Sequence, residues 1–204
     1  VLHAVVDQRR RALRVPTDPL FAAGPASGRG PEVGQWYLRA PAGEVRSSVN
    51  AEAAWDRITG SAGVVVAVLD TGVLADHLDL AGQVLSGYDM VSDLATANDG
   101  GGRDADASDP GDWITSAENT ARGGDFQNCG VADSSWHGTQ VAGIIGAATN
   151  NGSGMAGAGW NVRVMPVRVL GKCFGYTSDI QAAMRWAAGL TVPGAPVNPN
   201  PAQV

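Results

Sequence analysis

Six residues, Val64-Val65-Val66-Ala67-Val68-Leu69, run without a polar side chain into Asp70-Thr71-Gly72. A continuous run rich in β-branched residues and stopped at a glycine is the pattern of a strand buried on both faces. Such strands belong to parallel sheets covered by helices. Val84 to Met90 reads as a second, weaker strand and Val162 to Leu170 as a third, with Pro166 interrupting its hydrogen-bond ladder. Helical patterns stand between and after them. The first is Ala51 to Arg57, capped by Asn50 and stopped at Thr59-Gly60. The second follows His137, is apolar at Val141, Ile144, Ile145 and Ala148, and closes near Asn150-Asn151-Gly152. The third runs from Ser178 to about Ala188, with Ser178 and Gln181 as a capping box and Gly189 as its stop. Strands alternating with helices imply an α/β fold on a parallel sheet.

The flanks are less patterned. Val1 to Val6 reads as a short strand, Arg9-Arg10-Arg11 follows, and a Pro/Gly/Ala-rich stretch from Val15 to Gly34 reads as extended surface chain. Residues 92–135 are loop-rich and acidic, and after Gly189 the chain is dominated by Pro193, Pro196, Pro199 and Pro201. A net charge of -6, with its one dense basic cluster in the N-terminal segment, argues against a nucleic-acid partner. The sequence has no apolar run of about 18 residues, so no helical membrane span is expected.

Two motifs carry chemistry. Asp70 closes a parallel strand at the sheet end where α/β folds place their sites, and an ionised carboxylate there can orient an imidazole. His137-Gly138-Thr139-Gln140-Val141-Ala142-Gly143 opens a helix, its glycines permitting close approach of another element. Either alone has a bland reading: a turn after a strand, or a surface histidine.

Together, Val68-Leu69-Asp70-Thr71-Gly72-Val73 and the segment His137 to Gly143 resemble the first two signature motifs of the subtilisin-like (S8) serine proteases, in that family's order. The resemblance runs from about Val49 to Val204. It implies a three-layer αβα fold on a mostly parallel sheet, truncated after about the third core strand. Residues 1–14 then resemble a propeptide tail, 15–48 the extended arm of a mature enzyme, and 49–204 the N-terminal portion of the catalytic domain. Asp70 becomes the acid that fixes the imidazole tautomer, and His137 the general base and then acid. Lys172, Cys173, Phe174, Gly175 and Tyr176 become the edge segment that pairs with an extended substrate backbone. The family's Gly-Thr-Ser-x-Ala nucleophile motif and oxyanion Asn are absent from these 204 residues. Gly152-Ser153-Gly154-Met155-Ala156 is a near-match only, in a turn sixteen positions (153 minus 137) after His137, and Ser153 is rejected as nucleophile.

The resemblance further implies a secreted protein acting on polypeptides, inhibited by its own propeptide, with no organic cofactor. Structural calcium is expected at Asp79 with Asn151, and in the acidic loop at Asp104, Asp106, Asp109 and Asp112. Cys129 and Cys173 are expected to form a disulfide, as befits a secreted protein. Gln140 replaces a frequent family histidine outside the catalytic set, and His77 is read as structural. An aspartic-protease reading of Asp70-Thr71-Gly72 fails on Val73 and on the lack of a second such motif. The other alternative is a non-catalytic or calcium-dependent binding module ending near Val204. It would leave the strand from Val64 to Leu69 as an exposed apolar edge, because the family's next strand after Pro201 lies beside it.

Overall fold

The computed structural model describes residues 14–22, 34–43 and 46–204. Residues 1–13, 23–33 and 44–45 lie outside it, and with them most of the expected propeptide tail and part of the expected arm. In chain order the elements are α1 (Pro19–Ala22), α2 (Ala51–Trp55), β1 (Val65–Asp70), β2 (Tyr88–Asp89), α3 (Leu94–Ala97), α4 (Ser116–Thr120), α5 (His137–Gly146), β3 (Arg163–Arg168) and α6 (Thr177–Ala187). The three strands form a parallel sheet in the order β1-β3-β2, with Val65 opposite Arg163 and Asp70 opposite Arg168.

Strand alternation separates the two faces. Met165 and Val167 of β3 join Ala67 and Leu69 of β1 on one face, packed against Ala183, Trp186 and Ala187 of α6. Val164 and Val68 point the other way, into a cluster with Val141, Ala142 and Ile145 of α5. Helices therefore cover both faces, and the molecule has the three layers expected. Val164, Met165 and Val167 of the central strand β3 are completely buried, whereas Val66, Ala67 and Leu69 of β1, at the sheet edge, are half-buried.

The weaker strand is shorter than its sequence suggests. Val84 makes a single bridge to Val164, and regular pairing starts only at Tyr88. Gly87 explains the gap: a Cβ there would lie 1.8 Å from the Pro166 carbonyl oxygen, so the chain passes hard against β3 before it can enter the ladder. Two helix starts also differ. Asn50 is left-handed (φ 55°) and caps nothing with its side chain, and α2 ends at Trp55 rather than Arg57. The Ser178–Gln181 capping box does not form. Instead buried Asp179 accepts hydrogen bonds from the Ser92 N–H and hydroxyl and from Arg103, tying the start of α6 to a neighbouring loop.

The proline-rich tail is ordered by side-chain hydrogen bonds. Trp186 Nε1 donates to the Pro196 carbonyl, and Asn198 Nδ2 donates to the carbonyls of Trp186 and Ala187 at the end of α6. This folds residues 193–201 back and delivers Gln203 and Val204 to the free edge of β1. There the Gln203 N–H donates to the Val65 carbonyl and the Ala67 N–H donates to the Val204 carbonyl. A separate aromatic cluster fixes the N-terminal arm. Phe21 and Trp160 flank Trp55 at 6.0 and 5.0 Å, and the Arg39 guanidinium lies 4.1 Å over the Phe21 ring.

Cys129 and Cys173 are joined, 44 positions apart with Cα atoms at 5.6 Å. Closing such a loop disfavours the unfolded chain by about 4 kcal/mol in the chain-entropy account. Alkylation under non-reducing, denaturing conditions should label no cysteine, and reduction should lower Tm by about 10 °C. Two alkylated cysteines, or an unchanged Tm after reduction, would contradict the bridge.

Candidate active site

Asp70 is fixed at its backbone and its side chain alike. Its carbonyl accepts from the N–H groups of Val169 (2.9 Å) and Leu170 (3.1 Å), which holds the end of β1 to the chain leaving β3. Its Oδ1 accepts from the Thr71 N–H at 2.8 Å. Both carboxylate oxygens lie within reach of His137 Nδ1, at 2.9 and 2.8 Å. A carboxylate with these neighbours is acceptor-only, so Nδ1 carries the proton and Nε2 is left with a free lone pair. The Asp70 side chain is 10% exposed and that of His137 is 61% exposed. The acid is sheltered and the base is accessible.

His137 is the first residue of α5, preceded by Trp136 in the left-handed region (φ 52°). The helix reaches β1 because its second residue has no side chain. A Cβ on Gly138 would lie 2.1 Å from the Gly72 carbonyl oxygen and 3.2 Å from Asp70 Cβ. Thr71 bridges the two elements. Its hydroxyl accepts from the Gly138 N–H at 3.0 Å and donates to Asp109 Oδ2 at 2.6 Å. Its carbonyl accepts from Nε of Arg168, a residue only 1% exposed. The Arg168 guanidinium also donates to Asp89 (2.5 Å), Asp99 (2.7 Å) and the Ala97 carbonyl. Burial pushes the Asp89 carboxyl up to about 7, against the lowering pull of Arg168.

In front of His137 lies a cleft of about 430 Å³, bounded by Asp112, Ile114, the Cys129–Cys173 disulfide, Leu170, Gly171 and Phe174. Of the expected substrate edge, Cys173 and Phe174 line this cleft. The N–H groups of Cys173, Gly175 and Tyr176 have no hydrogen-bond partner among the described residues, which suits addition of another strand. Lys172 is differently engaged. Its N–H donates to the Thr96 carbonyl, and its ammonium pairs with Glu118 between the rings of Trp113 (4.9 Å) and Phe126 (5.1 Å). That contact and the Thr115 hydroxyl hold Glu118 down at about 2. Lys172 therefore anchors the loop around α4 to the segment lining the cleft, and its side chain is not presented to the cleft.

The carboxylates of the acidic loop accept hydrogen bonds close at hand. Asp104, Asp106 and Asp109 each accept from the N–H two residues on, and Asp112 accepts from the Ser135 N–H and hydroxyl. Each carboxylate is satisfied locally, and the four do not gather round a common point. Asp79 and Asn151 do meet: Asp79 accepts from Asn151 Nδ2 and from the Met155 N–H. Asp18 joins the same turn, accepting from the N–H groups of Asn150 and Asn151. Among the described residues, no three His, Cys, Asp or Glu side chains are placed to hold a metal ion. Ser153 lies in this turn, beside His77 and Asp79 and apart from the cleft of His137. His77 accepts the Asp79 N–H at Nδ1, a local structural role.

Sequence reading missed three supports of the pair: the hydroxyl of Thr71, its acceptor Asp109, and Arg168. Thr71 stood in the Asp70-Thr71-Gly72 motif with no role given to its hydroxyl, and Arg168 left a signal as a charge inside the otherwise apolar run Val164 to Val169.

Known proteins are similar to this chain in sequence and fold. The subtilase family pattern matches residues 61–204. An extracellular protease of Xanthomonas campestris pv. campestris is 50% identical over 174 residues, covering 83% of this chain and 27% of the relative. An extracellular basic protease of Dichelobacter nodosus is 48% identical over 164 residues, covering 76% of this chain and 25% of the relative. A solved protease of Pseudoalteromonas arctica superposes with a TM-score of 0.75 at 49% identity, covering 92% of this chain and 48% of that one. The chain thus spans about a quarter of the length of these curated relatives.

The tight approach at Gly138 is directly testable. Gly138→Ala should cost about 1–3 kcal/mol, because the new methyl forces α5 away from β1. Gly143→Ala, whose methyl would meet only Met155 Sδ at 3.5 Å, should stay within about 0.5 kcal/mol of wild type. Thermal melts that move equally for both variants would contradict this account of the helix placement.

Proposed function

The chain belongs to the subtilase family, and we propose that it supplies the acid and base of a secreted serine endopeptidase whose nucleophile lies outside these 204 residues. The observation carrying this reading is the Asp70–His137 contact at 2.8 Å, with Nε2 facing an open cleft. Nε2 takes the proton of a serine hydroxyl as it attacks the scissile carbonyl, then returns it to the leaving amine. Asp70 holds the ring in the Nδ1–H tautomer and stabilises the imidazolium that forms. Cys173, Gly175 and Tyr176 offer backbone groups to an extended substrate, which gives affinity independent of side-chain identity. An Asn donating to the oxyanion, also outside these residues, completes the set. Residues 1–14 are proposed as the tail of an inhibitory propeptide, on the sequence resemblance alone. A non-catalytic binding module accounts less well for an acid–base pair held at hydrogen-bond distance beside a cleft.

The family's Gly-Thr-Ser-x-Ala motif is missing here, and Ser135, close to His137 in the chain, has its hydroxyl engaged with Asp112. The 204-residue chain should therefore hydrolyse no peptide. The longer gene product should cleave casein, and His137→Ala should reduce that by about 10⁴-fold or more. Hydrolysis by the 204-residue chain that His137→Ala abolishes would contradict the reading.

A structural calcium ion is proposed at the Asn150–Met155 turn. Asp18 and Asp79 are 1% and 5% exposed, and neither forms a salt bridge among the described residues. Buried carboxylates lacking a cationic partner suit a hard cation, which would tie the N-terminal arm to this turn. Saturating calcium at about 100 times its Kd should add about 2.7 kcal/mol and raise Tm by several degrees. Asp79→Asn should remove that rise, and a wild-type Tm unaffected by calcium or chelator would refute the ion.

A further inference from the structure

We propose that Arg168 is a positioning residue for the Asp70–His137 pair, acting through the backbone of Thr71. The inference rests on the catalytic reading above. Arg168 stands opposite Asp70 in the parallel register, as the last residue of β3. Its guanidinium is 1% exposed, in a part of the sheet where Val164, Met165 and Val167 show that apolar residues pack without difficulty. Burying a charge network costs desolvation that an apolar side chain avoids, so stability alone does not explain an arginine there.

Geometry supplies the reason. Nε donates to the Thr71 carbonyl, while the two Nη atoms reach Asp89, Asp99 and the Ala97 carbonyl. The planar fork is thereby fixed from three directions, and the Thr71 peptide is held by a group that cannot rotate away. Thr71 in turn donates its N–H to Asp70 Oδ1 and accepts the Gly138 N–H at its hydroxyl. Three hydrogen bonds thus lead from the Arg168 fork to the acid and to the residue after the base. A lysine keeps the charge but presents a point donor that cannot serve Thr71, Asp89 and Ala97 together. No other arginine or lysine contacts the Asp70-Thr71-Gly72 turn among the described residues.

The test is proton NMR of the ¹⁵N-histidine-labelled 204-residue chain, reading the far-downfield Nδ1–H resonance of His137 and its solvent exchange. His77 gives no such signal, because its Nδ1 accepts from Asp79, and His137→Ala assigns the line. In folded Arg168→Lys the resonance should shift and its proton exchange about tenfold faster or more, the factor given by ~1.4 kcal/mol of lost ordering. Arg168→Met with Asp89→Asn, which leaves fewer buried carboxylates unpaired, should give the same loss. A variant that folds with an unchanged His137 signal and merely a lower Tm would make Arg168 a residue of the fold alone, and overturn the proposal. Failure of both variants to fold would overturn it equally. The readout needs no nucleophile, so it is separable from the catalytic reading: absence of the resonance in the wild-type chain would count against the acid–base pair itself.

Discussion

The backbone of α5 lies against the end of β1 with no side chain between them, and the site depends on that approach. The Gly138 Cα stands where a methyl group would sit 2.1 Å from the Gly72 carbonyl oxygen. Only there can the first residue of the helix bring its imidazole onto a carboxylate that ends a buried strand. The sheet and its two helical layers serve this contact. Parallel pairing of β1 with β3 fixes the height of Asp70, and the cluster of Val68, Val164, Ala142 and Ile145 fixes the distance of α5 from the sheet.

Around that contact the protein places hydrogen bonds rather than bulk. Thr71 has its N–H, hydroxyl and carbonyl all engaged, by Asp70, by Asp109 and Gly138, and by Arg168. Fixed dipoles of this kind hold reacting groups in place without reorganisation during a reaction. The cleft in front of His137 is held differently. Its lining segments are tied together by the Cys129–Cys173 bridge and, one residue away, by the Lys172–Glu118 ion pair seated against Trp113 and Phe126. Two adjacent ties of different chemistry limit the freedom of a loop that would otherwise be exposed and mobile.

What was legible in the sequence follows the range of the forces involved. The strand Val65–Asp70, the start of α5 at His137 and the glycine stop at Gly189 are set by neighbours within a few residues and stand where the pattern placed them, whereas α5 ends at Gly146, before Ala148 and the expected stop near Asn150. The order Asp70 then His137 was legible because each sits in a local motif with its own backbone demand. Tertiary contacts overrode the rest. Asn50 and Ser178 carry good capping chemistry, yet Asn50 turns left-handed and α6 is fixed by Asp179 reaching Ser92 and Arg103, about 80 positions away. The charge density of the acidic run 104–112 is visible in a sequence, whereas the local N–H groups that donate to its carboxylates are not. Lys172 looked like a substrate contact because it lies within the expected substrate edge; only the fold shows its ammonium turned toward Glu118.

The central claim is that Asp70 and His137 are two parts of a serine-based catalytic set. The most direct measurement is to treat the full gene product with a fluorophosphonate and map the labelled residue by mass spectrometry. The account predicts a single labelled serine, within a Gly-Thr-Ser-x-Ala sequence outside residues 1–204, with labelling lost in His137→Ala. Labelling of a serine inside these 204 residues, or labelling that persists without His137, would contradict it.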